Sequence, residues 1–220
     1  MPATEDDAIP QQHAQLFNDI ASDVRNSGYS IKHHALPSAL VDALLQQLLK
    51  TPDGQFVHAG IGRAGDKVLD HTVRRDRISW ITGDSAACEQ WLQWAESLQR
   101  HLNRQLFLGL FSFESHFAHY RPGDFYQRHL DAFKGEENRI LSLVLYLNPH
   151  WQAEDGGELV LYPEQGEPGG VRVPPAHATL ALFLSEDFEH EVLPARRDRF
   201  SIAGWFRLNS SGTLRADPPT

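Results

Sequence analysis

The chain has 220 residues, of which 41% are hydrophobic, and this length and composition suit a globular protein with one full core. Its formal net charge of -9 disfavours a broad nucleic-acid surface, because phosphate binding needs clustered Lys and Arg, and it leaves open either a basic polypeptide partner or simple solubility. The single cysteine, Cys88, excludes an internal disulfide and a Cys-based zinc site.

The first half of the chain predicts helices with short strands between them. Apolar residues at helical spacing predict helices at Gln12–Asn26, 38–51 and Ser85–Leu106. Short strands are predicted at Tyr29–Leu36 and Arg77–Ile81. Residues 60–77 mix Gly, Asp, Lys and Arg, which is typical of either a loop that covers a substrate or a plain insertion.

After Leu106 the pattern changes to short β-rich runs separated by turns rich in Gly, Pro and Asn. The predicted strands are Phe111–Tyr120, Ile140–Leu147, Glu158–Tyr162, Gly170–Val173, Ala178–Leu184, Glu189–Leu193 and Arg199–Leu208. Many short strands with regular turns are typical of a sandwich or jelly roll. We therefore predict a mainly β protein with supporting helices.

The domain prediction follows from this division. A disordered lead at 1–11 precedes a single domain at 12–208, and a flexible tail follows at 209–220. Within the domain, 12–108 would supply helical support and the loop, and 109–208 would form the β core.

A candidate metal site is indicated by His129 and Asp131. Residues i and i+2 of a strand project from the same face, so both side chains could bind one ion. His190, 59 residues after Asp131, lies in a second strand-like run. Two histidines and one carboxylate form the facial triad of non-haem Fe(II) oxygenases, which leaves open positions on the metal.

Arg199 follows His190 by nine residues, in a β-rich run where a dicarboxylate cosubstrate would need a cation. Its planar guanidinium can bind a carboxylate through two hydrogen bonds. Tyr146, on the strand after the His-X-Asp segment, could add a third. The alternatives are a solvated ion pair between Arg199 and Asp198, and a core role for the tyrosine.

An ordered set of short motifs accompanies these residues. The set comprises Tyr120-Arg-Pro-Gly, Arg128-His-Leu-Asp131, Leu145-Tyr-Leu-Asn148, Trp151, Gly156-Gly-Glu-Leu159, Tyr162-Pro-Glu164, His190-Glu-Val-Leu-Pro194, Arg199 and Trp205. In this order the motifs resemble the prolyl-4-hydroxylase branch of the 2-oxoglutarate oxygenases, and within it the hypoxia-inducible-factor prolyl hydroxylases and their bacterial counterparts. The resemblance covers roughly residues 29–208 and is strongest from Phe113 onward.

The resemblance implies a double-stranded β-helix fold and a set of roles. His129, Asp131 and His190 would be the Fe(II) ligands at the catalytic centre. The residues that would bind 2-oxoglutarate are Arg199 and Tyr146 at its tail carboxylate, Leu159 and Val192 along its pocket, and Trp205 beside it. The residues expected on the substrate side are Tyr120, Arg139, Arg77 and Trp80. Residues 60–77 would correspond to the family's substrate-covering loop.

The resemblance also implies an activity: C4 hydroxylation of a prolyl residue in a protein, using O2 and releasing succinate and CO2 from 2-oxoglutarate, with ascorbate as a supporting reductant. Bacterial members of the branch suggest translation elongation factor Tu as the protein substrate. We expect no nucleic-acid partner and a monomer. The acidic start lacks the apolar segment of a signal peptide, and no run of about 18 apolar residues occurs, so we expect a cytoplasmic protein without a membrane span.

Other functions remain open from the sequence. The same chemistry could act on a free amino acid or another small molecule. A nucleic-acid demethylase of the superfamily is disfavoured, because Trp205 stands where that group carries a second arginine. A cupin-type metal enzyme would favour a His-X-His start, and a catalytically silent binding module would not need intact ligands.

Overall fold

The computed structural model describes residues 11–59, 72–132, 138–163 and 169–209. Within these ranges the helices are α1 (Gln11–Ser27), α2 (Ser38–Lys50) and α3 (Ala86–Leu106). The strands are β1 (Tyr29–Lys32), β2 (Val57–His58), β3 (Arg77–Trp80), β4 (Ser112–Tyr120), β5 (Tyr126–His129), β6 (Arg139–Tyr146), β7 (Leu159–Tyr162), β8 (Val171–Val173), β9 (Leu180–Leu184), β10 (Glu189–Val192) and β11 (Arg199–Arg207). The predicted tail from 210, most of the lead and the first part of the predicted loop, 60–71, lie outside the described residues.

The strands form two antiparallel sheets. The larger has seven strands in the order β1-β9-β6-β11-β4-β3-β2, and the smaller has four in the order β5-β10-β7-β8. Side chains from both sheets share one buried cluster, for example Tyr146 and Phe183 from the larger sheet with Leu161 and Val173 from the smaller. The two sheets therefore pack face to face, as in a sandwich.

Alternation along the strands of the larger sheet separates a helix-covered face from an inner face. On β6, Leu141, Leu143 and Leu145 pack in the cluster that contains the helices, whereas Tyr146 packs with the smaller sheet. Successive side chains of a strand point to opposite faces, so Ser142, Val144 and Tyr146 of β6 face the smaller sheet. The site described below is built on this inner face.

The helices cover the outer face because each presents an apolar stripe. Phe17 and Ile20 of α1, Leu44 of α2 and Trp91 and Leu98 of α3 are fully buried in the same cluster as the leucines of β6. The Ser85 hydroxyl caps α3 by accepting a hydrogen bond from the Cys88 backbone N–H at 3.3 Å. None of the described helices is both long and apolar enough to cross a membrane.

The region predicted as helical support also contributes β1, β2 and β3 to the larger sheet. The strand predicted from Tyr29 to Leu36 ends at Lys32, because the chain turns at His34, whose φ is 54°. The strands β2 and β5 were not predicted. Both are short, and β5 (Tyr-Gln-Arg-His) lacks an apolar alternation, so it is defined by its pairing with β10 and not by its composition.

Candidate metal and cosubstrate site

The three predicted ligands meet on the inner face. His129 Nε2 lies 3.6 Å from Asp131 Oδ1, and His190 Nε2 lies 3.7 Å from Asp131 Oδ2. One ligand atom from each residue falls within 4.8 Å of the other two. The pairing of β5 with β10 sets His129 directly opposite His190, which explains how residues so distant in sequence come together.

Backbone hydrogen bonds orient both imidazoles. His129 Nδ1 lies 2.7 Å from the Gln127 carbonyl oxygen, and His190 Nδ1 lies 3.1 Å from that of Phe188. A carbonyl oxygen only accepts, so Nδ1 carries the hydrogen in each ring and Nε2 presents a lone pair. Burial is the main cause that lowers the pKa of His190 to about 4, so this ring is neutral at pH 7 and able to bind a metal.

The position of Asp131 corrects the strand argument. Because β5 ends at His129, Asp131 lies in a bend beyond it and not at the i+2 position of a strand. Its carboxylate is instead held by side chains: the Ser142 hydroxyl donates to Oδ2 at 2.6 Å, and Trp205 Nε1 donates to the same oxygen at 2.9 Å. Burial acts to raise the pKa of Asp131, but the nearby His190 and His129 and the Ser142 hydrogen bond outweigh it and hold the pKa well below its usual range.

Arg199 is buried at the start of β11 and is only 2% exposed. Its Nε donates to the Gly157 carbonyl oxygen at 2.8 Å, and its Nη1 donates to the Ser201 hydroxyl at 3.4 Å. Asp198 pairs with His119 at 2.7 Å, so the solvated ion pair proposed as the alternative for Arg199 is not formed. Within the described part of the chain, no carboxylate pairs with this buried cation.

Tyr146 presents a second unpartnered group beside Arg199. Its hydroxyl is buried and has no hydrogen-bond partner among the described residues. The Arg199 guanidinium carbon lies 5.0 Å from the centre of the Tyr146 ring. Burial raises the pKa of Tyr146 to about 12, with Arg199 opposing the rise, so its hydroxyl stays a donor. A buried cation and a free hydroxyl together suit a carboxylate ligand.

One pocket joins the metal-ligand cluster to Arg199. Its walls include the predicted ligands, the predicted cosubstrate residues Leu159, Val192, Arg199 and Trp205, and Tyr120, which was predicted on the substrate side. Trp205 was expected only beside the cosubstrate; its indole N–H in fact binds the Asp131 carboxylate. The structure thus brings the predicted metal ligands and four of the five predicted cosubstrate residues to one pocket, and the fifth, Tyr146, lies beside Arg199 without lining the pocket.

The predicted substrate-side residues are more dispersed. Trp80 is 45% exposed, and its ring meets that of His116, a pocket residue, edge-on at 5.3 Å. Arg139 lies with its guanidinium carbon 3.8 Å from the centre of the Trp205 ring and donates to Glu114 at 3.0 Å. Neither residue lines the pocket itself.

Arg77 is separated from the pocket. In the pairing of β3 with β4 it lies opposite His119, whereas Trp80 lies opposite His116. Odd and even positions face opposite sides of a strand, so Arg77 is on the other face from Trp80. Its guanidinium pairs there with Asp53 at 3.3 Å, and its position gives no support to a substrate role.

A buried ion pair at the pocket was not predicted. Arg74 donates two hydrogen bonds to Asp76, whose carboxylate is fully buried. The Arg74 guanidinium carbon lies 4.5 Å from the centre of the Tyr126 ring, which stacks on the His129 ring at 3.5 Å between centres. Arg-Arg-Asp in a polar segment is typical of a solvated turn, so no sequence signal marked these residues as buried.

Comparison with known proteins agrees with this geometry. The sequence profile of the 2OG-Fe(II) oxygenase superfamily matches residues 115–207. A crystal structure of a Pseudomonas putida prolyl-4-hydroxylase is similar to the chain with a TM-score of 0.80 and 40% identity, covering 87% of this chain and 98% of that one. A Trichoplax adhaerens prolyl hydroxylase, solved with a peptide of hypoxia-inducible factor, gives a TM-score of 0.83 and 29% identity over 96% of this chain and 100% of that one.

Curated relatives include human "Egl nine homolog 1", which is 30% identical over 167 residues, or 71% of this chain. The chain spans less than half the length of the first such relatives, 37% for the human protein and 46% for the rat one. The jelly-roll prediction is confirmed by the structural neighbours, and Fe(II) and 2-oxoglutarate are the cofactors that the family's name states. The chain belongs to the 2-oxoglutarate/Fe(II) oxygenase superfamily, in its prolyl hydroxylase branch.

Proposed function

We propose that the protein is an Fe(II)- and 2-oxoglutarate-dependent dioxygenase that hydroxylates C4 of a prolyl residue in a protein substrate. The observation that carries the proposal is that one pocket holds both a His-Asp-His cluster and a buried arginine without a carboxylate partner among the described residues. The first suits a divalent metal and the second suits the tail of a dicarboxylate.

The donor set fits Fe(II). His129 and His190 would each bind through Nε2, since Nδ1 is committed to a backbone carbonyl, and Asp131 would bind as a carboxylate. Three protein ligands leave positions for the cosubstrate and for O2. When bound, Fe(II) and 2-oxoglutarate supply the oxidation, in which O2 is consumed, succinate and CO2 are released and one oxygen atom enters the substrate C–H bond.

The chain's own residues would position the cosubstrate. Arg199 would pair with its tail carboxylate and Tyr146 would donate a hydrogen bond to it, satisfying both groups. Leu159 and Val192, both buried, would form apolar walls that exclude water from the carbon chain. Each of these groups is buried; Arg199, Leu159 and Val192 line the pocket, and Tyr146 lies beside Arg199.

Trp80 supports a substrate with a prolyl ring. Its side chain is about half-exposed beside the pocket residue His116, and an exposed indole at this place would suit contact with an apolar ring. Arg139, stacked on Trp205, lies near the same rim. The Trichoplax relative binds a peptide of hypoxia-inducible factor, which favours a polypeptide over a free amino acid.

For the substrate itself we propose translation elongation factor Tu, on the resemblance to bacterial prolyl hydroxylases. The similarity to the Pseudomonas enzyme supports a prolyl hydroxylase of the bacterial kind. The protein that it modifies is determined by experiment. Incubation of the two purified proteins with Fe(II), 2-oxoglutarate and air, with and without ascorbate, should add one oxygen atom to a single prolyl peptide by mass spectrometry. Succinate formation without any modified protein, stimulated by a free amino acid, would instead support the small-molecule alternative.

The cofactor pair is tested first by anaerobic titration with Fe(II) and then 2-oxoglutarate, with detection of the visible charge-transfer band of the chelate. His190→Ala should abolish the band. His177→Ala is the matched control, because His177 pairs with Asp42 at 2.9 Å outside the pocket. Absence of a band in the folded wild-type protein would contradict the proposal and favour the binding-module alternative.

A further inference from the structure

A chain of buried hydroxyls ends on the candidate ligand Asp131. Ser142 Oγ lies 2.6 Å from Asp131 Oδ2 and 2.9 Å from Ser185 Oγ. Ser142 is 2% exposed and Ser185 is 0% exposed. Trp205 Nε1 reaches the same Oδ2 from β11, 2.9 Å away. Two residues from separate strands, Ser142 and Trp205, thus converge on one carboxylate oxygen, and Ser185 contacts the first of them.

The directions of these hydrogen bonds are fixed by chemistry. An indole N–H only donates, and an ionised carboxylate only accepts, so both bonds end on Oδ2. The Ser142 hydrogen is used on Asp131, and Ser142 Oγ must therefore accept the hydrogen of Ser185. The Ser185 backbone is itself anchored, since its N–H donates to the Ile140 carbonyl oxygen at 3.0 Å.

Strand pairing does not hold Asp131 in place. Strand β5 ends at His129, so the backbone of Asp131 lies in a bend outside the ladder. Ser142 lies within β6, Trp205 within β11, and Ser185 directly after β9, and these three strands are neighbours in the larger sheet. The rigid sheet therefore positions the carboxylate through side chains.

We propose that Ser142 and Trp205 are positioning residues that occupy Oδ2 and present Oδ1 alone to the metal, and that Ser185 acts with them by orienting the Ser142 hydroxyl. A carboxylate that bound through both oxygens would take a position needed for cosubstrate or O2. Two hydrogen bonds donated to Oδ2 oppose binding through both oxygens. They keep three coordination positions of the metal free for cosubstrate and O2. The inference rests on the proposed function, because it presumes a metal between His129, Asp131 and His190.

Ser115 offers a matched control for Ser142. Trp91 Nε1 donates to Ser115 Oγ at 3.1 Å, and Ser115 is 2% exposed. This buried serine also lies on a strand of the larger sheet and bonds a tryptophan indole, but on the helix-covered side, and Ser115 does not line the pocket. Ser115→Ala removes a buried strand hydroxyl without touching Asp131.

The test measures metal binding to the metal-stripped full chain, with no turnover required. Mn²⁺ affinity is measured by isothermal titration calorimetry, and the visible spectrum of the Co²⁺-loaded protein reports the coordination. Far-UV circular dichroism and thermal unfolding first identify the folded variants. The set is Ser142→Ala, Ser142→Thr, Ser185→Ala, Trp205→Phe, Ser115→Ala and His190→Ala.

We expect Ser142→Ala to weaken Mn²⁺ binding by roughly 10- to 100-fold and to change the Co²⁺ bands, because hydrogen-bonding partners of metal ligands have effects of this size. Ser185→Ala and Trp205→Phe should act in the same direction and more weakly. Ser142→Thr keeps the hydroxyl and should restore affinity and spectrum, and Ser115→Ala should match the wild type.

Failure of the proposed function and failure of this inference alone give different results. If the wild type binds no Mn²⁺ that is lost in His190→Ala, the proposed function fails and the inference fails with it. If the wild type binds at this site, but Ser142→Ala and Ser185→Ala keep its affinity and its Co²⁺ spectrum, the inference alone is overturned. Should Ser142→Ala not fold, Ser185→Ala and Trp205→Phe decide the same question.

Discussion

Arg199 and Gly157 are joined by a hydrogen bond that fixes the buried guanidinium. Arg199 Nε lies 2.8 Å from the Gly157 carbonyl oxygen. Gly157 has a φ of 72°, and a Cβ there would lie 2.8 Å from the Ala195 Cβ and 3.3 Å from Arg199 Cδ. Only glycine allows both this backbone conformation and the close approach of the arginine.

Gly157→Ala should therefore raise the 2-oxoglutarate concentration needed for half-maximal activity, by about 10-fold, because the guanidinium must shift. Gly123→Ala is the matched control, since Gly123 has a φ of 84° but a Cβ added to it would have no neighbouring atom within 4 Å. Both residues have a positive φ, so a 2-oxoglutarate effect confined to Gly157→Ala comes from crowding of the added methyl group against Ala195 and Arg199. Equal effects would show that strain alone is responsible.

Arg199→Gln should raise the 2-oxoglutarate requirement by roughly 10- to 100-fold, because a charge-assisted hydrogen bond contributes about 1.5–3 kcal/mol. Tyr146→Phe should raise the 2-oxoglutarate requirement less, since this substitution removes one neutral hydrogen-bond donor. Arg197→Gln provides the control, because Arg197 is a neighbouring arginine that binds Asp155 at the surface. Steady-state succinate formation against 2-oxoglutarate concentration measures all three, and an unchanged requirement in Arg199→Gln would contradict the assignment.

The buried Arg74–Asp76 pair should govern stability at the pocket. Arg74→Met should destabilise the fold by about 3–5 kcal/mol, because it leaves the Asp76 carboxylate buried without a partner. The double variant with Asp76→Asn should recover part of that loss. Arg77→Met is the control: its partner Asp53 is 88% exposed, and exposed pairs contribute about 0–1 kcal/mol. Urea unfolding measures each, and equal losses from Arg74→Met and Arg77→Met would refute the expectation.

His116 should make stability fall as the pH falls. Burial is the largest cause that lowers its pKa to about 4, from 6.5 in the unfolded chain. The unfolded state therefore takes up a proton first, and the contribution of His116 is present above pH 6.5 and is lost between pH 6.5 and 4. Between about pH 7.5 and 5 the loss is on the order of 2 kcal/mol.

His116→Gln removes this titrating group. Its free energy of unfolding should fall less than that of the wild type between about pH 7.5 and 5, whatever its stability at the higher pH. Urea unfolding at both pH values gives the difference. Parallel losses in the two proteins would show that His116 is not buried as a neutral ring.

Much of the site was predictable because its chemistry requires particular residue types. His129, Asp131, His190, Arg199 and Tyr146 were found from residue type, spacing and motif order, and the structure brings them together. The reason given for Asp131 was wrong, since a bend and not a strand holds it. The carboxylate in that bend is held by Ser142 and Trp205, which are distant in sequence, so the local sequence does not indicate these contacts.

Residues whose role depends on contacts with distant parts of the chain were mostly not predicted. Arg74, Asp76 and Ser185 carry no motif, and polar residues in short segments are usually exposed. Strand β5 is likewise defined by its partner β10. Trp205 was placed correctly at the pocket but with a different role, because only the pairing of β11 with β6 sets its indole against Asp131.

The sequence by itself determined the class of fold, the three helices, most strands, the family and the residues that can bind a metal and a carboxylate. The fold class, helices, strands and candidate ligands follow from local periodicity and side-chain chemistry, and the family follows from the resemblance of the ordered motifs. The tertiary structure alone decided which face of each strand is the inner one, which polar groups are buried without partners, and which oxygen of Asp131 is held. Those properties depend on contacts between distant segments, and such contacts exist only once the two sheets and the helices have packed.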